Sequence, residues 1–454
     1  MRDVLRVFNA ETARKGLLKR KPPNEFTVPP SVMERIAMLF GDGFTPAQAV
    51  ERILQDVRRR GDAALFEWTE KLDGVALHDL RVPQFELQAA LEALPEGLRL
   101  SLEKAAQRIE AFHKRQPLTS WKTQEDGGWL GQLIRPIRRV GLYVPGGSAP
   151  LPSSVLMSAI PARVAGVPEI VLVTPPVWGT TRVDPTILAA AALTGVQEVY
   201  MLGGAQAIAA LAYGTQNIPA VDKVFGPGNL FVTLAKQQVF GVVGVDGLAG
   251  PTETVVVADE NANPAWVAAD LLAQAEHDVM ASAILLTPSL QLAETVQVEV
   301  ARQLEVYADY VPLSRGEIIA AALENRGGIV LTRDLDEAIE LANFYAPEHL
   351  ALSVVDPWRW LEKVRAAGGV FLGEHSFEVL GDYVAGPSHV MPTGGSARYA
   401  SPLNIWDFVH IVSVVALDPA TANQIGSAAA QIATAEGLGA HARAALMRLN
   451  TQEH

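Results

Sequence analysis

The sequence predicts an α/β protein built on two parallel sheets, and three observations lead there. From about Gly141, short β-rich runs alternate with Ala/Leu-rich helical runs, the rhythm of strand–helix–strand units. After Gly250 the same rhythm resumes with new segments. In the first stretch the strand ends are rich in Gly or Pro ("TPP", "LGGAQA", "FGPGN"). Those ends are where an open parallel sheet binds ligands, and glycine lets backbone N–H groups come close.

Taken in order, residues 1–42 read as an irregular, proline-containing N-terminal arm. Its basic stretch "RKGLLKRK" (Arg14–Lys21) reads as solvated. Thr45-Pro46 is a cap followed by proline in the first turn, so "TPAQAVERILQDVRRRGD" predicts a helix stopping near Gly61. "FELQAALEALPEGLRLSLEKAAQRIEAFHKRQ" predicts two helices broken at Pro95. The first α/β unit covers 143–249, with strands in "EIVLVTPP", "EVYMLGG" and "DKVFGPGN". The second covers 250–403, with strands in "ETVVVAD", "SAILLTPS", "GGIVLTRD", "HLALSVV" and "GVFLG". The early helices, within 43–142, are expected to complete this second unit. Residues 404–454 read as an Ala-rich helical tail.

Composition excludes several classes. With 454 residues, 49% apolar and 19% charged, the chain can bury several cores and is not disordered. A formal charge of −13 argues against nucleic acid or an anionic membrane as partner. The chain has no cysteine, which excludes disulfides, thiolate metal sites and a thiol nucleophile. The first residues lack the apolar core of a secretory signal, and no long apolar run suggests a membrane span. A soluble, cytoplasmic protein is expected.

Four polar constellations could carry chemistry. In "YAPEHLAL", Glu348 and His349 stand side by side where an apolar strand begins. They mark either a solvated strand end or a site. In "DLLAQAEHD", Gln274 and His277 are three apart on a helix and share a face. "GDYVAGPSHVMPTGGSARYASP" is a long aperiodic stretch holding Asp382 and His389; it is a functional loop or a structural one with Asp382 capping a turn. "AEGLGAH" places Glu436 and His441 in the tail. Without sulfur, an N/O metal site from Gln274, His277, Asp382 and His441 is possible, with Zn²⁺ or Mn²⁺ as the ion. Spacing alone does not join residues so far apart. The remaining histidines, His78, His113, His375, His410 and His454, have no partners by spacing. The dinucleotide fingerprint G-x-G-x-x-G is absent; "GLYVPGGSAP" has the wrong spacing.

"GLYVPGGSAPLPSSVLMSAIPARVAGV", "GGAQAIAALAYGT", "VDKVFGPGN", "DLLAQAEHD", "YAPEHLAL", "GDYVAGPSHVMPTGG" and "AEGLGAH" resemble, in order, the signature blocks of the histidinol dehydrogenase family. The resemblance spans about residues 40–445. It implies two Rossmann-like domains, an NAD-binding one at 143–249 and a discontinuous catalytic one at 43–142 and 250–403. It implies oxidation of L-histidinol through L-histidinal to L-histidine with two NAD⁺, the last step of histidine synthesis. It implies zinc on Gln274, His277, Asp382 and His441, and NAD⁺ against Tyr143, Gln206 and Asn229. The zinc ligands, Thr252, Glu348, His349 and Glu436 would contact substrate. His349 would be the base of both oxidations, and Glu348 would activate water for the second. The family further implies a homodimer whose tail lends Glu436 and His441 to the partner's site. The chain departs from the family pattern with Thr252 for Ser, Ser388 for Asn, and His410-Ile411 for a Lys-Arg pair. A dehydrogenase of the same fold acting on another small primary alcohol is therefore the alternative. A non-catalytic two-lobed binding protein is the rival from another class.

Overall fold

A computed structural model describes residues 5–20, 28, 30–124, 127–146, 149–307 and 313–449. Lys21 of the basic stretch, Gly147 and Ser148 of "GLYVPGGSAP", and His454 lie outside the described residues. Both expected parallel sheets are present. The first has five strands in the order Glu198–Met201, Glu169–Thr174, Arg139–Tyr143, Lys223–Phe225, Gly244–Val245. The second has six, in the order Val7–Asn9, Gly328–Leu331, Ser282–Thr287, Glu253–Ala258, His349–Ser353, Gly369–Leu372. Its central strands are buried on both faces, which is why they read as unbroken apolar runs.

The early helices pack on the first sheet's side, not the second's. The reason lies in the helices that flank that sheet. Gly204–Tyr213 and Pro185–Thr194 are apolar almost all round, and such a helix must be covered on its outer face too. Helix Pro46–Arg60 supplies Val50, Ile53, Leu54 and Val57 at helical spacing to cover the former. Helix Gln84–Ala93 covers the latter, and Glu96–His113 covers the equally buried Pro152–Val164. The Thr45 capping box and the break at Pro95 form as the residues predict.

Two other expectations are corrected. The tail is not wholly helical. Val409–Leu417, a β-branched run, is a strand antiparallel to Gly128–Pro136, with Trp121–Thr123 on the far side. Helices Pro419–Ala435 and Gly439–Leu446 then close on each other through Ala430, Ala433 and Ala442. The arm is not wholly irregular or solvated either. Val7–Asn9 pairs with Gly328–Leu331 as the sheet's edge, and Arg20 is largely buried against Glu253. Among the described residues, no helix is long and apolar enough to cross a membrane.

Candidate active site

The first sheet presents its carboxyl edge. Tyr143 ends its strand, and its phenol oxygen accepts from Gly204 N at 3.2 Å. Burial pushes the Tyr143 hydroxyl up to about 12, so it stays protonated. Asn229 caps helix Leu230–Val239, accepting from Phe231 N and Val232 N at 3.0 and 3.2 Å. Gln206 is fully buried, yet neither its amide oxygen nor its nitrogen has a partner. A buried amide left unpaired is costly, so a ligand bound here could supply the missing partners. Between these residues Gly226 sits at φ 110°, where a Cβ would collide with the Tyr143 carbonyl oxygen. Lys236 and Asp246, both nearly buried, pair with each other and clamp this glycine: Lys236 Nζ donates to Gly226 O at 2.9 Å, and Gly226 N donates to Asp246 Oδ2 at 2.7 Å.

The second sheet presents its amino edge, contrary to the usual rule for open sheets. Glu348 and His349 enter their strand there, next to Thr252 and Glu253 on the neighbouring strand. Glu348 is buried; its Oε2 accepts from Thr252 Oγ1 at 2.6 Å and from Glu253 N at 3.1 Å. Burial drives its carboxyl well above the ordinary carboxylate range, despite the Thr252 hydroxyl. His349 is buried too. Its Nδ1 lies 3.8 Å from Glu348 and 3.6 Å from Glu378, and its Nε2 lies 3.7 Å from Asp382. Burial lowers its proton affinity, with Asp382 and the Glu253 backbone opposing. Both members of the pair are thus pushed toward neutral forms, and their contact is not an ion pair. Neither imidazole nitrogen completes a hydrogen bond of good geometry with a side chain or the backbone.

Helix Pro264–Ala275 ends at the same edge. Gln274 is fully buried and donates from Nε2 to Thr252 Oγ1 at 3.0 Å, leaving its Oε1 without a partner. His277 follows just past the helix end and is exposed. Surrounding protein lowers its proton affinity, and His349 adds to this. Asp382, expected in a long loop, lies instead on helix Glu378–Tyr383 at the head of that loop, and burial raises it to about 7. His389 donates from Nδ1 to the Asp382 carbonyl at 2.7 Å, and its Nε2 accepts from Ser154 Oγ at 3.2 Å. It thereby ties the loop of the second unit to the first unit, and burial holds it neutral, with a pKa of about 4. Asp382 does not cap a turn; its side chain faces His349.

The structure thus brings Thr252, Gln274, His277, Glu348, His349 and Asp382 into one cluster. It does not bring in Glu436 or His441. Both are exposed on the tail helices, and among the described residues no contact joins them to the cluster. Among those residues, too, no group of three or more His, Asp or Glu side chains is arranged to hold a metal ion. The donors nearest to such a role in one chain are Gln274 Oε1, His277 and Asp382. Sequence reasoning missed Glu378, which is buried, pushed up to about 8 by burial, and bonded to Thr254 Oγ1. Its signal was available: it lies four residues before Asp382 on one helical turn. Of the other histidines, His113 is buried against Gln116 at 3.0 Å, His375 leans on Trp266, and His78 and His410 are exposed.

The departures are mild in this setting. Thr252 keeps the hydroxyl that links Gln274 to Glu348. Ser388 is buried and bonded to Met157 O and Val390 N, both at 3.2 Å. His410 and Ile411 lie on the exposed tail strand, opposite Arg135 and Ile134.

Known proteins share the fold and the sequence. A sequence model of the family described as histidinol dehydrogenase matches residues 44–449. A histidinol dehydrogenase of Deinococcus radiodurans is 52% identical over 98% of this chain and 100% of its own. One from Thermus thermophilus is 50% identical over 89% of this chain and 95% of its own. The crystal structure of histidinol dehydrogenase from Elizabethkingia anophelis superposes with a TM-score of 0.87 at 35% identity, covering 98% of both chains. A sequence model matched along most of the length, relatives about half identical over nearly the whole chain and a shared fold have one common explanation: this chain belongs to the histidinol dehydrogenase family and is an enzyme of that dehydrogenase type.

Proposed function

We propose that the protein oxidises L-histidinol to L-histidine through L-histidinal, using two NAD⁺ and one Zn²⁺ per site, at the end of histidine biosynthesis. The observation that carries this is the buried Glu348–His349 pair, whose imidazole is unpaired beside the equally unpaired Gln274 Oε1. Those are the groups a substrate and a metal would satisfy. When bound, Zn²⁺ would supply a fixed positive charge that orients the substrate's imidazole and amine, and NAD⁺ would supply the hydride acceptor. Gln274, His277 and Asp382 would hold the ion from one chain. Tyr143, Gln206 and Asn229 would line the cofactor.

This chain's residues then divide the proton work. His349, neutral at rest, takes the hydroxyl proton as hydride leaves the carbinol carbon. The resulting aldehyde must add water before a second hydride can leave. Glu348, next to His349, removes a proton from that water. A carboxyl of raised proton affinity is a stronger base once ionised, so burial suits it to this step. His349 then takes a proton from the hydrate in the second oxidation. Thr252 holds Glu348 and Gln274 in register through one hydroxyl.

The site of one chain lacks Glu436 and His441, while the tail's Ile425, Ile432, Leu438, Leu446 and Met447 are exposed. Exposed apolar residues on a segment with so small a core favour a homodimer in which the tail serves the partner's site. The test counts NADH per histidinol consumed and zinc per chain. Two NADH with histidine as product, and about one zinc, are expected. One NADH with the aldehyde released, or turnover only with another primary alcohol, would reject the assignment.

A further inference from the structure

One largely buried cation takes no part in the proton transfers above, yet it touches the turn that carries them. Arg20, from the N-terminal segment, pairs with both carboxylate oxygens of Glu253 and stacks 3.6 Å over the Tyr345 ring. Its Nε and Nη2 donate to Tyr345 O at 3.0 and 2.7 Å, and Nη2 also reaches Ala346 O at 3.2 Å. Ala346 is the one non-glycine residue with positive φ among the described residues (φ 52°, ψ 66°). Pro347, Glu348 and His349 follow it directly. The turn that aims the Glu-His pair is therefore held in a conformation its own residue disfavours. The guanidinium fixes the two carbonyls on that turn. Glu253 continues the chain of contacts: its N–H donates to Glu348 at 3.1 Å, and its carboxylate accepts from Gly394 N at 3.3 Å on the loop after Asp382.

We propose that Arg20 is a positioning residue for the reaction: it holds the left-handed turn at Ala346, and so aims Glu348 and His349. It touches neither substrate nor cofactor and acts through the turn. A planar fork bridging a carboxylate and two carbonyls cannot be copied by a lysine. The inference rests on the reading of Glu348 and His349 as the reacting pair. His349→Asn tests that reading separately: an inactive His349→Asn beside an unaffected Arg20→Lys rejects only the role given to Arg20.

The test compares Arg20→Met, Arg20→Lys, Arg20→Met/Ala346→Gly and the control Arg6→Ala, with thermal stability measured alongside. Arg6 belongs to the same segment and donates to Glu324 O at 2.7 Å, away from the turn. Arg20→Met should lower kcat by about 100-fold, the scale of a 1 Å misplacement of reacting groups. KM for NAD⁺ should stay within about twofold, because the cofactor edge is untouched. Arg20→Lys should fold and recover only part of kcat. Ala346→Gly in the Arg20→Met background should recover about tenfold, since glycine adopts positive φ without help. Arg6→Ala should lose stability without losing kcat. Unchanged kcat in Arg20→Lys, no recovery in the double variant, or parallel losses of kcat and stability in Arg6→Ala and the Arg20 variants would overturn the proposal. If Arg20→Met does not fold, Arg20→Lys and the double variant decide.

Discussion

Replacing Glu348 by Gln separates the two oxidations. The substitution is nearly isosteric, and its surroundings say what is lost. In the native site Oε2 accepts from Thr252 at 2.6 Å and Glu253 at 3.1 Å. A glutamine carbonyl oxygen accepts both. Burial already raises the carboxyl toward its neutral form, so the neutral amide resembles the resting side chain. The change in folding stability should be within about 1 kcal/mol. What disappears is a proton acceptor. A positioned general base contributes about 10²- to 10⁴-fold, or about 3–5 kcal/mol of barrier. That loss should fall on histidinal oxidation, which needs activated water. Histidinol oxidation should stay within about threefold, because His349 serves that step. In a single turnover with histidinol, the variant should release one NADH per site quickly and then stall. Equal losses on histidinol and histidinal, with the fold intact by circular dichroism, would refute the division of labour.

Three further outcomes are expected. Homodimers of His277→Ala and of His441→Ala should both be nearly inactive, but exchanging their subunits should restore about half the native activity per hybrid, because one site collects both lesions and the other none; activity that stays absent after confirmed exchange would rule out a shared site. Asp73, half-buried with its enclosed Oδ2 unpartnered, is raised by burial from 3.8 to about 6, with Arg35 opposing. The unfolded chain therefore ionises first, and the contribution of Asp73 to stability should be full below pH 3.8 and be lost, by up to about 3 kcal/mol, as pH rises through 6; the stability difference between the native protein and Asp73→Asn should follow that course, and a difference that does not vary with pH would contradict the assignment. Lys236→Met takes the cationic partner from the half-buried Asp246 and leaves it only the Gly226 and Gly247 N–H donors, so it should cost about 3 kcal/mol and raise KM for NAD⁺ more than KM for histidinol; an unaltered KM for NAD⁺ in a folded variant would detach Gly226 from the cofactor site.

What could be read in advance was local. Strand and helix alternation is written in residue type, so both parallel sheets were legible, as were the Thr45 cap and the break at Pro95. The pairing of distant segments is not written that way. Helix Pro46–Arg60 shows an apolar face but no partner, and only the all-round burial of Gly204–Tyr213 decides where it goes. Arg20 lies in a basic stretch that resembles any solvated arm; its carboxylate is 233 residues away. In the site, the Glu348–His349 adjacency stood out because polar groups seldom open a buried strand. Glu378 did not, because it sits among ordinary helix formers. Thr252, Gln274 and Asp382 are joined to the pair only by the fold, and His441 is not joined to it within one chain.

The edge strand Val7–Asn9 has a consequence for how the molecule is made. It pairs with Gly328–Leu331, which is made much later, and the neighbouring Arg6 contact closes a loop with a sequence separation of 318. Closing such a loop in an unstructured chain costs about 5 kcal/mol of entropy. One short strand does not recover that, so docking must wait until the intervening sheets have formed and shortened the effective path. A segment made long before its partner is thus among the last to settle. Arg20, carried on this same segment, therefore reaches the turn before Glu348 only after that late docking.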